Sequence, residues 1–484
     1  MARDPCTGCR ATQFTLLLTG LLALAGCMLA PRYQVPPTPA PAAFKEAGQW
    51  TRSTPADELP RGEWWQLYAD ATLNELELRL AAQNPSLAAA LARYDQSRAY
   101  LREVRAGQLP ALNGNARLTR NRQSDDRPLR GSNQPDVYDD RAIGASVDYE
   151  FDLWGRIRNT VANGRYLSQA RAADVESTRL SLQSQLAADY FELRGLDAQA
   201  KLLADTLEVY RRSLELTDAR HEQGIVSGLD VEQARTQLQN ARSELQEVGA
   251  NRALLEHALA VLVGEPASTF TLPAAPAPAR IPNVPAGLAS TLLQRRPDIA
   301  AAERAVAAAN AAIGIARAAF FPAVSLSALA GFQNTATPDL ITSPNLYWTI
   351  GPQAVLNLFD AGRRRAQVAF AKARYRETVA DYRTHVLHAF SDVEDNLALL
   401  NSLAEEADSK AAAVGSSEHA EALASALYRL GASGYLEVAT AQTAALQTKL
   451  SAESVRTRRL VASVHLIEAI GGGWEADRLL GQNR

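Results

Sequence analysis

The spacing of apolar residues predicts two long helical hairpins in this chain. Apolar and small residues recur alternately three and four positions apart from Val231 onward and again from Val438 onward. The two rows are Val231, Ala234, Leu238, Ala241, Leu245, Val248, Leu255, Leu259 and Leu262, and Val438, Ala441, Ala445, Thr448, Ala452, Val455, Ala462, Leu466 and Ala469. A period of about 3.5 residues predicts coiled-coil packing, and alanine along the seam lets two helices approach closely.

An arginine interrupts each row at the same seam position, Arg252 in the first half and Arg459 in the second. Two interpretations stay open for these residues: the charge reaches along the seam to the surface, or it makes a polar contact where the packing changes. Proline is absent from 136 to 265 and from 353 to 484, so nothing breaks the helices. The segment from Gly155 to Gly224 would span about 100 Å as one helix.

A second pattern, alternation with a period of two, predicts four β-strands. The alternating apolar positions are Ile143, Ala145, Val147, Tyr149, Phe151 and Leu153; Val324, Leu326, Ala328, Ala330 and Phe332; and Trp348, Ile350, Ala354, Leu356 and Leu358, with a weaker candidate at 113–120. Their length of about ten residues and their flanking aromatics suit a membrane β-barrel. Half-buried strands of a soluble sheet would show the same alternation.

An internal repeat organises these elements. Pro85 and Pro110 are spaced like Pro297 and Pro322, and Gly224 matches Gly431 further along. The distance between matching residues shortens by five between Pro110 and Gly155, which predicts a loop of different length there. Each half therefore reads as a helix, two strands, a very long helix, a glycine turn and a returning helix.

The strands and helices both predict self-association. Four strands cannot close a membrane barrel, because unpaired sheet edges are not tolerated in lipid and the smallest closed barrels have about eight strands. Hairpins about 100 Å long likewise need neighbours of the same length, which other copies of the chain supply. We therefore expect a homo-oligomer.

The amino-terminal region predicts secretion and lipid attachment. Arg3 and Arg10 precede a short apolar run, and the run ends in Leu24-Ala25-Gly26-Cys27, which resembles the bacterial lipobox. Cys27 is therefore the expected lipidation site, with a chance cysteine after an ordinary signal peptide as the alternative. Met28 in place of an aspartate favours the outer membrane. Cys6 and Cys9 fall in the leader, so the mature chain keeps one cysteine and forms no internal disulfide.

Composition excludes several classes of function. The 50 basic and 53 acidic residues nearly cancel, which argues against nucleic acid as a partner. His385 and His388 lack the accompanying carboxylate of a metal signature, and 431–434 lacks the spacing of a nucleophile elbow. No phosphate loop or dinucleotide fingerprint occurs, so we expect neither an enzyme nor a cofactor.

Three motifs give the chain a resemblance to a known family. They are Trp64-Trp65-Gln66-Leu67-Tyr68 followed by Asp70; Arg296-Pro297-Asp298-Ile299 leading to Phe320-Phe321-Pro322; and Asn357-Leu358-Phe359-Asp360-Ala361-Gly362-Arg363. Across the mature chain they resemble the TolC-like outer-membrane factors of tripartite efflux systems, in particular the NodT/OprM-type lipoprotein branch. The resemblance implies a mainly α, tandem-repeat protomer of a trimeric, twelve-stranded transmembrane β-barrel. A long periplasmic coiled-coil α-barrel would continue it.

The resemblance also implies roles at the helical tips. Asp230 and Tyr428 correspond to residues that hold the aperture shut, and Glu437 to an acidic residue of the constriction, where three copies would attract cations. Gly224, Ser227, Gly431 and Gly434 are expected to receive the adaptor. These glycines and acidic residues also suit simple helix ends. Ser433 and Thr440 depart from the arginine and aspartate of relatives, which predicts a smaller restraint network.

The predicted domains are a signal peptide at 1–26, a lipidated segment at 27–72, a first repeat at 73–265, a Pro-rich linker at 266–289, a second repeat at 290–470 and a tail at 471–484. The predicted function is a passive outer-membrane conduit of an RND-type tripartite efflux pump, gated at its periplasmic tip, with an adaptor and an inner-membrane pump as partners. A channel for type I protein secretion and a periplasmic scaffold lipoprotein are the alternatives. The cargo does not follow from the sequence.

Overall fold

The computed structural model describes residues 29–38, 41, 43–46, 63–126, 135–276, 281–282, 296–336 and 338–472. The predicted signal peptide, Cys27, part of the linker and nearly all of the tail lie outside these residues. The chain divides into two compact units. The first contains Tyr94–Ala170 and Ala302–Tyr382, and the second contains Arg171–Ala301 and the residues from Arg383 onward, together with Pro37–Arg93.

The predicted element order occurs twice. The elements are a 3₁₀ helix Trp64–Tyr68, α1 Ala71–Gln83, α2 Pro85–Ala106, β1 Ala111–Arg122, β2 Val137–Phe151, α3 Arg156–Glu222, α4 Gly228–Leu262, α5 Pro297–Ala318, β3 Ala323–Asn334, β4 Leu346–Val355, α6 Arg363–Arg429 and α7 Tyr435–Ala469, with a 3₁₀ turn Ser343–Asn345 before β4. Helices α2 and α5 have 22 residues each, α3 and α6 have 67, and α4 and α7 have 35. The internal repeat is confirmed.

The paired prolines mark helix starts and strand starts. Pro85 and Pro297 occupy the first position of α2 and α5, where a missing N–H costs no helical hydrogen bond. Pro110 and Pro322 come directly before β1 and β3. The five-residue difference between the repeats lies where it was expected, because β2 has 15 residues and β4 has 10, and their connecting segments also differ.

Two strand ends were predicted too far along the chain. The alternating pattern continues to Leu153 and Leu358, whereas β2 ends at Phe151 and β4 at Val355. Acidic residues at the start of the long helices explain the early ends. The carboxylate of Asp152 accepts hydrogen bonds from the backbone N–H groups of Ile157 and Arg158, and Asp360 does the same for Gly362 and Arg364. These carboxylates draw the chain out of the sheet.

The first unit contains one four-stranded antiparallel sheet with the order β1-β2-β3-β4. Each strand pairs with the next along the chain, in continuous registers from Ala111 opposite Asp148 to Phe332 opposite Leu346. Helix α5 is apolar and long enough to cross a membrane, yet more than half of its apolar stretch is buried within the protein. It therefore has the character of a core helix.

In the second unit, the predicted seams form the hairpin cores. Val231, Ala234, Ala241 and Val248 are buried, and Leu238 and Leu245 pack against the same clusters. Val438, Ala445, Val455, Ala462, Leu466 and Ala469 are buried along α7. The coiled-coil period therefore identified the residues between the helices.

The aromatic motif before α1 anchors that helix to the hairpins of the second unit. Trp64 and Trp65 are buried edge to face, with ring centroids 6.0 Å apart. The Tyr68 hydroxyl lies 2.7 Å from Ser463 Oγ. Asp70 caps α1 through the Leu73 N–H and accepts a 2.8 Å hydrogen bond from the Tyr190 hydroxyl. Trp64, Trp65, Tyr68 and Asp70 of this motif therefore all make structural contacts.

Arg252 makes a polar contact within the seam, which agrees with the second of the two interpretations. Its Nε donates to Asp197 at 2.6 Å, and Arg194 donates to the other oxygen of the same carboxylate at 2.8 Å. The side chains of Arg194 and Asp197 are 2% and 3% exposed. The cluster also holds the segment after α4, because Arg194 donates to the Pro273 carbonyl and Asp197 accepts from the Ala275 N–H.

Replacing Asp197 by Asn should destabilise the fold strongly. The substitution leaves two arginines without their shared carboxylate in a buried site, which costs about 3–5 kcal/mol. Asp205→Asn is the matched control, because Asp205 pairs with Lys201 at the surface, where their side chains are 70% and 79% exposed. The control should change stability by less than about 0.5 kcal/mol. Guanidinium unfolding followed by circular dichroism measures both, and equal losses would contradict the assignment.

Candidate functional site

The sheet of the first unit has one apolar face. Paired residues of neighbouring strands share a face, so the registers define it completely. The apolar face carries Leu112, Gly114, Ala116 and Leu118; Ile143, Ala145, Val147, Tyr149 and Phe151; Val324, Leu326, Ala328, Ala330 and Phe332; and Leu346, Trp348, Ile350, Pro352 and Ala354. Within a single chain Leu112 is 74% exposed and Trp348 69% exposed. Such a large uncovered apolar surface requires an apolar environment.

The opposite face of the sheet is polar. It carries Asn113, Asn115, Arg117, Thr119 and Asn121; Tyr138, Asp140, Ala142, Gly144, Ser146 and Asp148; Ser325, Ser327, Leu329, Gly331 and Gln333; and Tyr347, Thr349, Gly351 and Gln353. Asp140 accepts hydrogen bonds from Arg117 at 2.7 Å and from Gln333 at 2.8 Å. Ser327 donates to Asp148 at 2.8 Å. An apolar face backed by a hydrogen-bonded polar face is the pattern of a water-filled membrane barrel.

Strands β1 and β4 are the edges of this sheet. Among the described residues neither strand has a partner on its outer side. Each edge therefore presents a row of backbone N–H and C=O groups that can pair with a strand of another chain.

The tip of the first hairpin, between α3 and α4, is closed by two helix caps. Gly224 has a φ of +71°, its N–H donates to the His221 carbonyl, and the next N–H donates to the Arg220 carbonyl. A left-handed residue at this position is cheapest as glycine. Ser227 and Asp230 then form a reciprocal capping box at the start of α4.

The tip of the second hairpin, between α6 and α7, has the same glycine cap at the end of the long helix. It lacks a side-chain cap at the start of the returning helix. Gly431 has a φ of +74°, and its N–H donates to the Tyr428 carbonyl at 3.0 Å. Gly434 begins α7 without a side-chain cap. Glu437, in the first turn of α7, is exposed. The second tip therefore has fewer local restraints than the first.

Tyr428 joins the two hairpins just above their tips. Its side chain is buried, and its hydroxyl lies 3.2 Å from Thr217 Oγ1 on α3. Its ring packs edge to face on Tyr435 at 5.6 Å, and the Tyr435 hydroxyl donates to Gln237 at 3.0 Å. Burial raises the pKa of Tyr435 above its ordinary value.

Arg220 is a tip residue that the sequence did not indicate. Its guanidinium donates to the carbonyls of Tyr428 at 2.8 Å and Arg429 at 3.0 Å, and lies 4.7 Å from the centre of the Tyr428 ring. It thereby satisfies the last carbonyls of α6 from the neighbouring helix. A basic residue in the last turn of a helix predicts contact with that helix's own end, and only the fold shows that it reaches the other hairpin.

Within one chain, the expected partners Asp230 and Tyr428 do not bond to each other among the described residues. The Asp230 carboxylate accepts from the Ser227 N–H at 3.2 Å, and the Tyr428 hydroxyl contacts Thr217. Ser433 Oγ has no hydrogen-bond partner in the described part, and Thr440 donates only to its own helix at Leu436. The latch between Asp230 and Tyr428 that the resemblance implies stays a prediction.

Apolar side chains project around both tips. The exposed fractions are 64% for Ile225, 66% for Leu229, 82% for Leu430 and 60% for Leu436. They surround the expected docking residues Gly224, Ser227, Gly431 and Gly434, which the fold brings to the ends of the hairpins. All four apolar residues fall outside the periodic seam, so the spacing of apolar residues alone does not indicate them. A protein partner can bury such a surface.

The described residues contain no group of three or more His, Cys, Asp or Glu that could hold a metal ion. His385 and His388 lie exposed on α6.

Comparison with known proteins identifies the class. The model of the family described as "Outer membrane efflux protein" matches residues 78–265 and 288–472. The toluene efflux pump outer membrane protein TtgC of Pseudomonas putida is 33% identical, over 93% of each chain. The cation efflux system protein CusC of Escherichia coli O157:H7 is 30% identical, over 94% of this chain and 97% of CusC. A solved structure of the outer-membrane channel OprN superposes with a TM-score of 0.84 at 30% identity, covering 93% and 100%.

A chain with these hairpins and this two-faced sheet is thus of the outer-membrane channel class. It belongs to the outer membrane efflux protein family, the outer-membrane factors of efflux pumps. Its place is the outer membrane, with a large periplasmic part, and its family carries out transport rather than catalysis.

Replacing Arg220 by Ala should loosen the tip. Losing two charged hydrogen bonds and the ring contact should cost about 2 kcal/mol locally. Amide hydrogen exchange around 424–435 should then accelerate on the order of 30-fold. Arg211→Ala is the matched control, because Arg211 lies on the same helix and pairs only with Glu208 and Glu215 at the surface. Unchanged exchange in the Arg220 variant would show that the contact carries no restraint.

Proposed function

We propose that three copies of this chain assemble into one continuous export conduit. Three four-stranded sheets, joined edge to edge through β1 and β4, give a twelve-stranded transmembrane barrel, and the hairpins continue it as a periplasmic α-barrel. The observation that carries the proposal is the sheet itself, with one apolar face, one polar face and two open edges. Closure by other copies pairs every edge and exposes the apolar face to lipid.

The conduit is passive and works with partners. An inner-membrane pump of the RND type supplies the energy, and a periplasmic adaptor docks on the tips. The exposed Ile225, Leu229, Leu430 and Leu436, placed beside small glycine turns, support docking by another helical protein. Cys27 carries a covalent lipid that ties the amino terminus to the outer membrane, and no other cofactor is involved.

The cargo is a small molecule delivered by the pump. TtgC is named for toluene and CusC for cations, at similar identity to this chain, so family membership does not select the substrate. The exposed Glu437 supports a weak preference for cations, because three copies would place three carboxylates around one aperture.

The tip acts as the gate. Tyr428 and Arg220 hold the two hairpins of each chain together, and a latch between the helices that carry Asp230 and Tyr428 keeps the aperture narrow. Partner binding at the tips then shifts the tip toward an open state.

Replacing Ile350 by Arg should block barrel assembly. Ile350 is level with Ala328 and Val147 in the middle of the apolar face, where an arginine costs about 2–4 kcal/mol in lipid. Thr349→Arg is the matched control, because the neighbouring residue points to the polar face and should be tolerated. Heat-resistant trimers extracted from outer membranes measure the outcome.

Equal trimer yields from both variants would contradict the lipid-facing orientation. A water-soluble periplasmic monomer after Cys27→Ser would identify a scaffold lipoprotein instead of a conduit.

Removing the proposed gate contacts with Asp230→Ala and Tyr428→Phe should raise single-channel conductance in planar bilayers. Asp230 also caps α4, so Ser227→Ala is the control that breaks the capping box and keeps the carboxylate. Thr217→Val separately removes the in-chain partner of Tyr428. Unchanged conductance in the double variant, or an equal rise after Ser227→Ala, would refute the gate.

A further inference from the structure

Charged residues interrupt the apolar face of the sheet at one end only. On β2 the face is apolar from Phe151 to Ile143, and the next two residues on the same face are Arg141 and Asp139. On β1 the face continues past Leu118 with Arg120 and Arg122. This end of the sheet is the one at which β1 and β2 are connected, and the opposite end leads into the long helices.

The position of the charges follows from the length of the apolar stretch. The nine residues from Ile143 to Phe151 extend about 27 Å along the strand. Tilted by about 40°, this stretch rises about 21 Å, and the two further residues to Arg141 add about 5 Å, which together match an apolar band about 25 Å tall. In the proposed barrel the arginines therefore lie at the edge of the hydrocarbon, on the outer surface, at the level of the lipid headgroups. The long helices are periplasmic, so these headgroups belong to the outer leaflet.

The three arginines lie close enough to act on one ligand. Arg120 is directly opposite Asp139 on β2, and Arg141 is diagonal to Arg120, about 7–8 Å away. Arg122 follows Arg120 on the same face of β1, about 7 Å along the strand. The cluster can therefore surround an anionic group of the size of a phosphate.

Most of this positive charge is uncompensated. Asp139 is paired with Arg141 at 3.1 Å, whereas Arg120 and Arg122 are exposed and pair with no carboxylate among the described residues. Arg141 Nε is buried and has no hydrogen-bond partner there. On the polar face, by contrast, Arg117 is neutralised by Asp140 at 2.7 Å. Counted over these four residues alone, three arginines and one aspartate carry a net charge of +2.

We propose that Arg120, Arg122 and Arg141 form a binding site for the phosphate groups of a phosphorylated lipid headgroup in the outer leaflet. The proposal rests on the proposed barrel, in which this face meets lipid. Guanidinium groups bind phosphate through paired, charge-assisted hydrogen bonds, and a weakly hydrated cation at the membrane surface loses little on binding an anionic headgroup. A protein ligand is disfavoured because the rest of the same face is apolar and covered by lipid.

Native mass spectrometry of the purified trimer in a neutral detergent tests the site. The probe is bis-phosphorylated lipid A, compared with the same lipid after removal of both phosphates. The phosphorylated lipid should remain bound to the wild-type trimer. Replacing all three arginines by Gln should weaken its binding on the order of a hundredfold, at about fivefold per arginine. The dephosphorylated lipid should bind both proteins equally weakly.

Two further variants make the test specific. Arg93→Gln, Arg102→Gln and Arg105→Gln together remove the same charge from exposed positions on α2, away from this cluster, and should leave lipid binding unchanged. Lysine at all three cluster positions keeps the charge without the paired geometry and should retain part of the affinity. Millimolar inorganic phosphate should not displace the lipid; full displacement would identify a free-phosphate site.

Equal binding of both lipids to the wild-type trimer, or equal loss in the control triple variant, would overturn the lipid site while leaving the conduit intact. Failure of the wild-type chain to form trimers would instead contradict the proposed function.

Discussion

Backbone hydrogen bonding is the constraint on which this structure depends. In hydrocarbon, an unpaired N–H or C=O has no water to bond to, and each one costs several kcal/mol. The sheet of a single chain pairs β1 with β2, β2 with β3 and β3 with β4, and leaves the outer sides of β1 and β4 open among the described residues. The exposed apolar side chains of the same sheet impose a second requirement, because they need an apolar environment. These open edges are the ones that the proposed assembly of identical chains would pair.

In the long helices, a cluster of buried charged residues holds neighbouring segments together. Helices of 67 residues extend beyond any single compact core, so specific contacts are needed to hold the helices of a hairpin together. Asp197 accepts hydrogen bonds from two arginines of different helices and from the backbone after α4, which ties the inter-repeat segment to the first hairpin. Replacing such a network with apolar residues can raise stability, whereas removing one partner leaves buried charges unpaired and lowers it.

The elements and their repeat followed from the sequence because they depend on periodicity. The seam residues, the proline pairs and the glycine turns were each found where expected. The strand ends were misjudged, because capping by Asp152 and Asp360 competes with an alternating pattern that continues past them. Arg220 and the cluster of Arg120, Arg122 and Arg141 could not be anticipated, since helix pairing brings the first to Tyr428 and strand register brings the others together. The lipid site on Cys27 and the contacts between chains lie outside what one chain describes.

Corresponding helices of the two repeats have equal lengths, which limits where insertions and deletions are tolerated. Removing one heptad from α3 would retract its tip by about 10 Å and separate Arg220 from the carbonyls it binds on α6. A viable deletion would need matching losses in α4, α6 and α7 at the same level of the bundle. Four coordinated events are far rarer than one, so insertions and deletions should accumulate in the strand connections and the linker. Among homologues, the length of the conduit should be far less variable than its mouth.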